Sequence, residues 1–172
     1  VNVQIIVNAI NSAIGANGST IDWSAPVQYR QGVDSDMNQL IADMEAGSIG
    51  TLYIYGANPA YDYHDAERFK KALGKVKLTV SFSEKLDETS ELCQFLVPTH
   101  HYLESWGDAE PRPGYTCFMQ PTIFPLFKTR YYQTSLLNWG GNTGDYETYF
   151  RNYWTGRLSE GGFHRALRDG LI

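Results

Sequence analysis

Apolar residues recur along this chain at two periods, one helical and one of alternating or continuous strands. Val3, Ile6, Val7, Ile10 and Ile14, with Ala9 and Ala13 beside them, follow helical spacing, and Gly15 marks a stop. A strand over Val3–Val7 is the competing reading, because β-branched side chains are stiff in a helix. A loop follows through Asn17-Gly18-Ser19, Pro26 and Gly32. Asp34-Ser35-Asp36 then offers a cap for a helix carrying Met37, Leu40, Ile41 and Met44, ended by Gly47.

The middle of the chain is the most regular. Thr51-Leu52-Tyr53-Ile54-Tyr55 is a short apolar, aromatic and β-branched run, the pattern of a buried strand. Gly56-Ala57-Asn58-Pro59 breaks it. Asp62 and Asp65 open a helix with Ala66, Phe69, Ala72 and Leu73 on one face, and Lys70 and Lys71 precede its stop at Gly74. Acids at the start and bases at the end both complement the helix dipole. Val76–Phe82 alternates as a second strand. Strand, helix and strand in so short a stretch predict a β-α-β unit with parallel strands and a right-handed crossover. A short helix is expected after Asp87-Glu88-Thr89-Ser90, and a third strand over Gln94–Val97, stopped by Pro98. Residues 104–125 read as a long Pro-rich loop. Three aromatic-rich helical stretches, Lys128–Trp139, Asp145–Trp154 and Ser159–Arg168, close the chain. The expected fold class is α/β: a Rossmann-like, mainly parallel open sheet flanked by helices, with a long Pro-rich loop and a helical C-terminal part.

Composition narrows the function classes. The 172 residues suit one domain with a core of its own. With 14 basic against 19 acidic residues the net charge is −5, a sign that repels phosphate backbones and argues against a nucleic-acid partner. No apolar run is long enough for a membrane span. Cys93 and Cys117 form no C-x-x-C pair, so a zinc ribbon or a cysteine-ligated cluster within this chain is not expected. The chain opens Val1-Asn2-Val3, inside an apolar periodic segment, and is expected to be a single α/β domain, residues 1–172, excised from a larger polypeptide.

In an open parallel sheet, ligands bind outside the C-terminal ends of the strands. Three loops share that edge here: 56–61, 83–89 and 98–107. They are expected to bring Asn58, Asp87, Glu88, Thr89, His100, His101, Glu104 and Asp108 towards one region. The Gly56-Ala57-Asn58-Pro59 turn suits close approach of a phosphate or a base edge, since Gly56 turns without a Cβ and Pro59 keeps Asn58 out of the helical region; a plain strand-to-helix turn explains it equally. Neither a dinucleotide fingerprint nor a Walker A loop is present. His100 and Glu104 share a helical face and could ligate a metal together, but no third ligand is evident; a set of half-buried hydrogen bonders is the simpler reading. Glu104 with Asp108 or Glu110 could serve as an acid/base pair. Cys93 reads as a small buried hydrophobe.

Taken in order, Tyr53-Ile54-Tyr55-Gly56-Ala57-Asn58-Pro59, Asp87-Glu88-Thr89, Leu96-Val97-Pro98, Glu104 and Gly107 resemble the molybdopterin oxidoreductase (dimethyl sulfoxide reductase) superfamily. The string from Pro98 to Pro111, with Gln120-Pro121-Thr122-Ile123, Pro125–Arg130 and Asp145-Tyr146, is similar to one branch, the molybdopterin-oxidoreductase-like iron–sulfur subunit of alternative complex III, a bacterial membrane quinol oxidoreductase. The resemblance implies a large exported parent on the periplasmic side, peripheral to the membrane through its complex. It implies iron–sulfur clusters elsewhere in that parent. The implied partners are the parent's other domains and other respiratory-complex subunits. In an active molybdenum or tungsten member, molybdopterin guanine dinucleotide would be bound, and Gly56, Asn58, Pro59, Thr89, Glu104 and Gly107 are the cofactor-binding candidates if that site is retained. A ligand-binding α/β module outside redox chemistry is a further alternative. Two departures tell against retention: Cys93-Gln94 replaces Ala-Asp before the third strand, and Pro111-Arg112-Pro113-Gly114-Tyr115 replaces Asn-x-Glu-Gly-Arg. The favoured expectation is therefore a structural segment with no catalytic residues, no metal and no cofactor of its own. Its sheet edge should be filled by Tyr61, Tyr63, Tyr102 and Trp106, and Glu104 should be a scaffold carboxylate surrounded by backbone donors.

Overall fold

The computed structural model describes residues 2–28 and 32–172. The part of the expected 17–32 loop that falls on residues 29–31 lies outside the described residues, as does Val1. The fold is mixed α/β. Helix α1 (Asn2–Ala13) is followed by a loop, then α2 (Asp34–Glu45), strand β1 (Thr51–Ile54), a single helical turn α3 (Pro59–Asp62), α4 (Ala66–Leu73), β2 (Leu78–Ser81) and β3 (Phe95–Leu96). The three strands pair in the order β1-β2-β3, all parallel, with Tyr53 opposite Val80 and Val80 opposite Phe95. The first segment is thus helical throughout, despite its β-branched residues.

One face of this sheet carries the larger core. Ile41 and Met44 of α2, Ile54 of β1, Ala60 of α3, and Phe69, Ala72, Leu73 and Val76 from α4 and its exit pack together. Cys93 lies half-buried against this core, and burial pushes its thiol pKa up. Asp65 caps α4 by accepting from the Arg68 amide at 3.2 Å. Arg68 in turn makes a two-pronged bond to Glu45, at 2.9 and 2.7 Å, tying α4 to α2. The acids before α2 do not cap it. Val33 occupies that position, and Asp34 and Asp36 sit inside the first turn, where they complement the helix dipole instead. The opposite sheet face is partly covered by aromatic side chains of α5 (Tyr132–Trp139): Trp139 stacks on Tyr53 and Tyr132 packs on Phe82, while Tyr53, Phe95 and Trp139 stay about half exposed.

One expectation fails after Pro98. The Pro-rich stretch is not only loop: β4 (Gly107–Arg112) and β5 (Tyr115–Met119) form an antiparallel hairpin. The prolines fit because register shifts between Ala109 and Arg112, beside Pro111, and because Pro113-Gly114 forms the turn, with Gly114 at φ 78°. The last two helical stretches do form as two helices: α6 (Tyr146–Asp169) is divided at Ser159, φ 61° and ψ 166°, where the second stretch was expected to begin. There the Ser159 hydroxyl accepts weakly from the Gly162 amide at 3.4 Å, a local cap for the second half. Elsewhere the expected helices shrink: α5 begins at Tyr132 rather than Lys128, and the helix after Asp87 is one 3₁₀ turn, Ser90–Leu92. Hairpin and α6 share a second core of Trp106, Phe150 and Phe163, joined by Phe118, Tyr131, Tyr146 and Trp154.

Candidate functional site

The β1 and β2 exits are stitched together by side chains from the loops that follow them. The Asn58 carbonyl oxygen accepts from the Thr89 amide at 3.1 Å and from the Thr89 hydroxyl at 2.6 Å. Thr89 Oγ1 then accepts from the Ala60 amide at 2.9 Å, at the start of α3. The Asn58 amide nitrogen donates to Glu88 at 2.7 Å, which holds the Glu88 carboxyl below its usual range. Thr89 is 1% exposed. Its polar atoms are therefore spent inside the protein, which avoids the cost of an unpaired buried hydroxyl.

Asp87 organises the second loop. Its carboxylate accepts from the Ser83 hydroxyl at 2.7 Å and from the Ser90 and Thr89 amides at 2.7 and 3.2 Å, while the Asp87 amide donates to the Ser90 hydroxyl. Burial alone would raise its pKa, but the Ser83 and Ser90 donors outweigh burial and hold it low. Sequence reasoning misses Ser83 and Ser90. Their signal is the short-side-chain cluster Ser83, Asp87, Thr89, Ser90, the composition of self-bonding turns.

Beside this network the C-terminal sheet edge is open. A cleft of about 400 Å³ is lined by Tyr55, Gly56, Asn58, Asp62, Ser83, Glu84, Lys85, Asp87 and Thr99, among others. The expectation that bulky side chains fill the edge is wrong. Tyr61 and Tyr102 are 72% and 62% exposed, Tyr63 bonds Asn38 at 2.7 Å beside the first core, and Trp106 is buried in the second. Carboxylates dominate the charged lining, with Lys85 as its one cation among the described residues. Gly56 turns the chain at φ 64°, a left-handed conformation that only glycine adopts cheaply, with nothing near the place of a Cβ.

The third loop contributes Thr99 but not the residues expected from it. Glu104 is 5% exposed and lines a separate hollow with Pro121–Pro125, Tyr131 and Glu147. Its carboxylate accepts from the His101 amide at 3.1 Å and the Leu126 amide at 3.0 Å, and these donors lower its pKa, Leu126 most. The backbone donors expected around Glu104 are present. His101 completes the turn by accepting from the Leu103 amide at 3.3 Å. Burial pushes the His100 pKa down while Glu104, 3.9 Å away, pulls it up. The net shift is downward, towards the neutral ring, whose Nδ1 lies 2.6 Å from the Thr129 hydroxyl. Asp108 accepts from the Trp154 indole at 2.7 Å, and Glu110 accepts from the Gly114 amide at 2.8 Å, so neither forms an acid/base pair with Glu104. Gly107 begins β4, packed so closely that a Cβ there would meet Met119 at 2.7 Å. Among the cofactor candidates, the structure brings Gly56, Asn58, Pro59 and Thr89 together, and places Glu104 and Gly107 elsewhere. No group of three or more metal-ligating side chains occurs among the described residues. No helix among them is long and apolar enough to cross a membrane.

No protein-family model matches the chain. It is 29% identical over 108 residues, 63% of its length, to an NADH-quinone oxidoreductase subunit of Rhizobium meliloti (strain 1021). It is 32% identical over 110 residues, 60% of its length, to the menaquinone reductase, molybdopterin-binding-like subunit of Nitratidesulfovibrio vulgaris. It is also 25% identical over 91 residues, 53% of its length, to the alpha subunit of an NADPH-Fe(3+) oxidoreductase of Geobacter sulfurreducens. These matches span 12%, 16% and 11% of the respective relatives. The chain is thus similar to short segments of oxidoreductase subunits, one of them molybdopterin-binding-like by name.

Proposed function

We propose that this chain is a structural α/β segment of a molybdopterin-oxidoreductase-like subunit in a respiratory, quinol-oxidising electron-transfer complex, and that it carries no catalytic centre. The observation that supports this reading most is the state of the sheet edge. A pterin dinucleotide placed there would bring a diphosphate, which wants cationic donors or a helix N-terminus. The charged lining is Asp62, Glu84 and Asp87 against Lys85. The nearby helical turn α3 begins with a proline, which has no N–H, and carries Asp62 in that turn. The Asn58 carbonyl is taken twice by Thr89 and its amide is engaged by Glu88. The residues present do not fit the cofactor. In this reading they join two loops.

The partners are the remaining domains of the parent and the other subunits of the complex, on the exported side of a bacterial membrane. The second reading, a pterin-dinucleotide domain of an active molybdenum or tungsten enzyme, draws on the open cleft of about 400 Å³ at the edge where such ligands bind. Elemental analysis of the purified full-length subunit, with pterin extraction, decides between them. The structural reading expects neither molybdenum nor tungsten. About one such metal per chain with extractable pterin, as a cofactor-loaded enzyme requires, would promote the second reading.

A further inference from the structure

A second groove, outside the sheet edge, lies between β4 and the first half of α6. It holds about 420 Å³, and its two walls differ in chemistry. Tyr146, Tyr149 and Tyr153 of α6 line one side, three and four positions apart and so on one helix face. Their rings stand nearly parallel, 23° and 19° apart, with centroids 6.5 and 6.4 Å from one to the next. Tyr149 and Tyr153 are 50% and 42% exposed, so this wall is open to water. Asp108 and Glu110 of β4 line the other side, at the same-face spacing of a strand. Each is anchored through one oxygen. Asp108 Oδ2 accepts from the Trp154 indole at 2.7 Å, and Glu110 Oε1 accepts from the Gly114 amide at 2.8 Å. The second oxygen of each has no protein donor among the described residues, and no Lys or Arg among them lines the groove.

These walls select one kind of ligand. Two carboxylates repel an anion. A hard metal ion wants about six or more oxygen ligands, and no third metal-ligating side chain joins these two among the described residues. An uncharged apolar molecule would take water from the carboxylates and return no hydrogen bond. A planar cation suits both sides, because it stacks on tyrosine faces and offers a fork of N–H donors to carboxylates. The chain itself uses this pairing beside the groove. The Arg157 guanidinium lies 4.5 Å from the centre of the Tyr153 ring, and that of Arg151 lies 4.4 Å from the centre of the Trp106 ring. Tyr146 and Tyr149 carry no such cation among the described residues.

We propose that this groove binds a guanidinium group, stacked on Tyr149 and paired with Asp108 and Glu110. The site does not depend on whether the sheet edge holds a pterin.

The test is isothermal titration of the full-length subunit, both in its complex and freed from it, with N-acetylarginine methylamide. N-acetylcitrulline methylamide, uncharged and of nearly the same shape, is the control. The expected result is saturable binding of the arginine probe and at least about tenfold weaker binding of the citrulline probe, since cation stacking and charged hydrogen bonds are lost together. Tyr149→Leu should weaken the arginine probe about two- to fivefold, the usual share of stacking at a half-exposed ring. Asp108→Asn combined with Glu110→Gln keeps acceptors for Trp154 and Gly114 and should weaken it about tenfold. All three positions are exposed, and circular dichroism checks that the variants are folded. Binding by the freed subunit alone assigns the guanidinium to an arginine of a neighbouring chain, and binding in both states assigns it to a free ligand. Equal binding of the two probes, no saturable binding in either state, or unchanged binding by either variant would overturn the proposal.

Discussion

The two cores are built by different rules. The first gathers Ile41, Met44, Ile54, Phe69, Ala72 and Leu73 from elements close in sequence, and its residues recur at helix and strand periods. The second gathers Trp106, Phe118, Tyr131, Phe150 and Phe163 from a hairpin, a loop and a broken helix, and it is almost wholly aromatic. Phe118 alone packs edge-on to Phe150 and Trp154, with ring centroids 5.6 and 4.8 Å away. Burial in this cluster pushes the Tyr146 phenol up to about 12. Aliphatic periodicity specifies a local β-α-β unit. Aromatic clustering holds together pieces that local sequence leaves loosely defined.

Truncation at the centre of each core should have the largest effect. Phe69→Ala and Phe150→Ala should each lower stability by about 3–5 kcal/mol in denaturant unfolding, the usual cost of emptying a buried phenylalanine site. If the cores melt independently, circular dichroism in the near ultraviolet will show Phe150→Ala lowering only the aromatic transition. One shared transition would mean that they form a single cooperative unit.

Glu104 links the second region's loops, and its removal should cost less. Glu104→Gln should destabilise by about 1–3 kcal/mol, since one backbone donor loses a charged acceptor. A change within error would mean that water serves the His101 and Leu126 amides equally well.

The pH dependence separates the loops further. The depressed pKa of His100 means that the folded state binds fewer protons than the unfolded one. Stability should therefore be full above the unfolded value of about 6.5 and decline as pH falls through the lower folded value. Asp87 and Glu104 are also depressed, so their contribution is present above about pH 4 and lost as pH falls through their folded values. Thermal melts from pH 8 to 3 should show both steps, and His100→Gln should erase only the upper one.

The smallest effect belongs to the first region's surface. Arg68→Ala removes the bond to Glu45 between half-exposed side chains and should cost about 0.2–1 kcal/mol, measured by the same unfolding assay.

What can be read from sequence follows the same division. The three strands, α4 and the turn at Gly56 are legible directly, because each element is fixed by residues a few positions apart. The β4–β5 hairpin is not, because Pro111 and Pro113 argue against strands until a register shift and a turn accommodate them. At the site, Asn58 and Thr89 stand out in the sequence, but not the fact that they satisfy each other. A contact between residues 31 positions apart leaves no periodic trace. Glu104 is readable as a buried carboxylate in need of donors, yet the Leu126 amide that meets it is not, since it depends on how the 121–130 segment folds back.

If Asn58 and Thr89 are spent on each other rather than kept for a ligand, their contributions to stability are coupled. A double-mutant cycle of Asn58→Ala and Thr89→Val, read by denaturant unfolding of the full-length subunit, tests it most directly. The expected coupling is about 0.5–3 kcal/mol, the range for directly bonded side chains. Additive single effects, with no coupling, would contradict it and leave Asn58 free to bind a ligand.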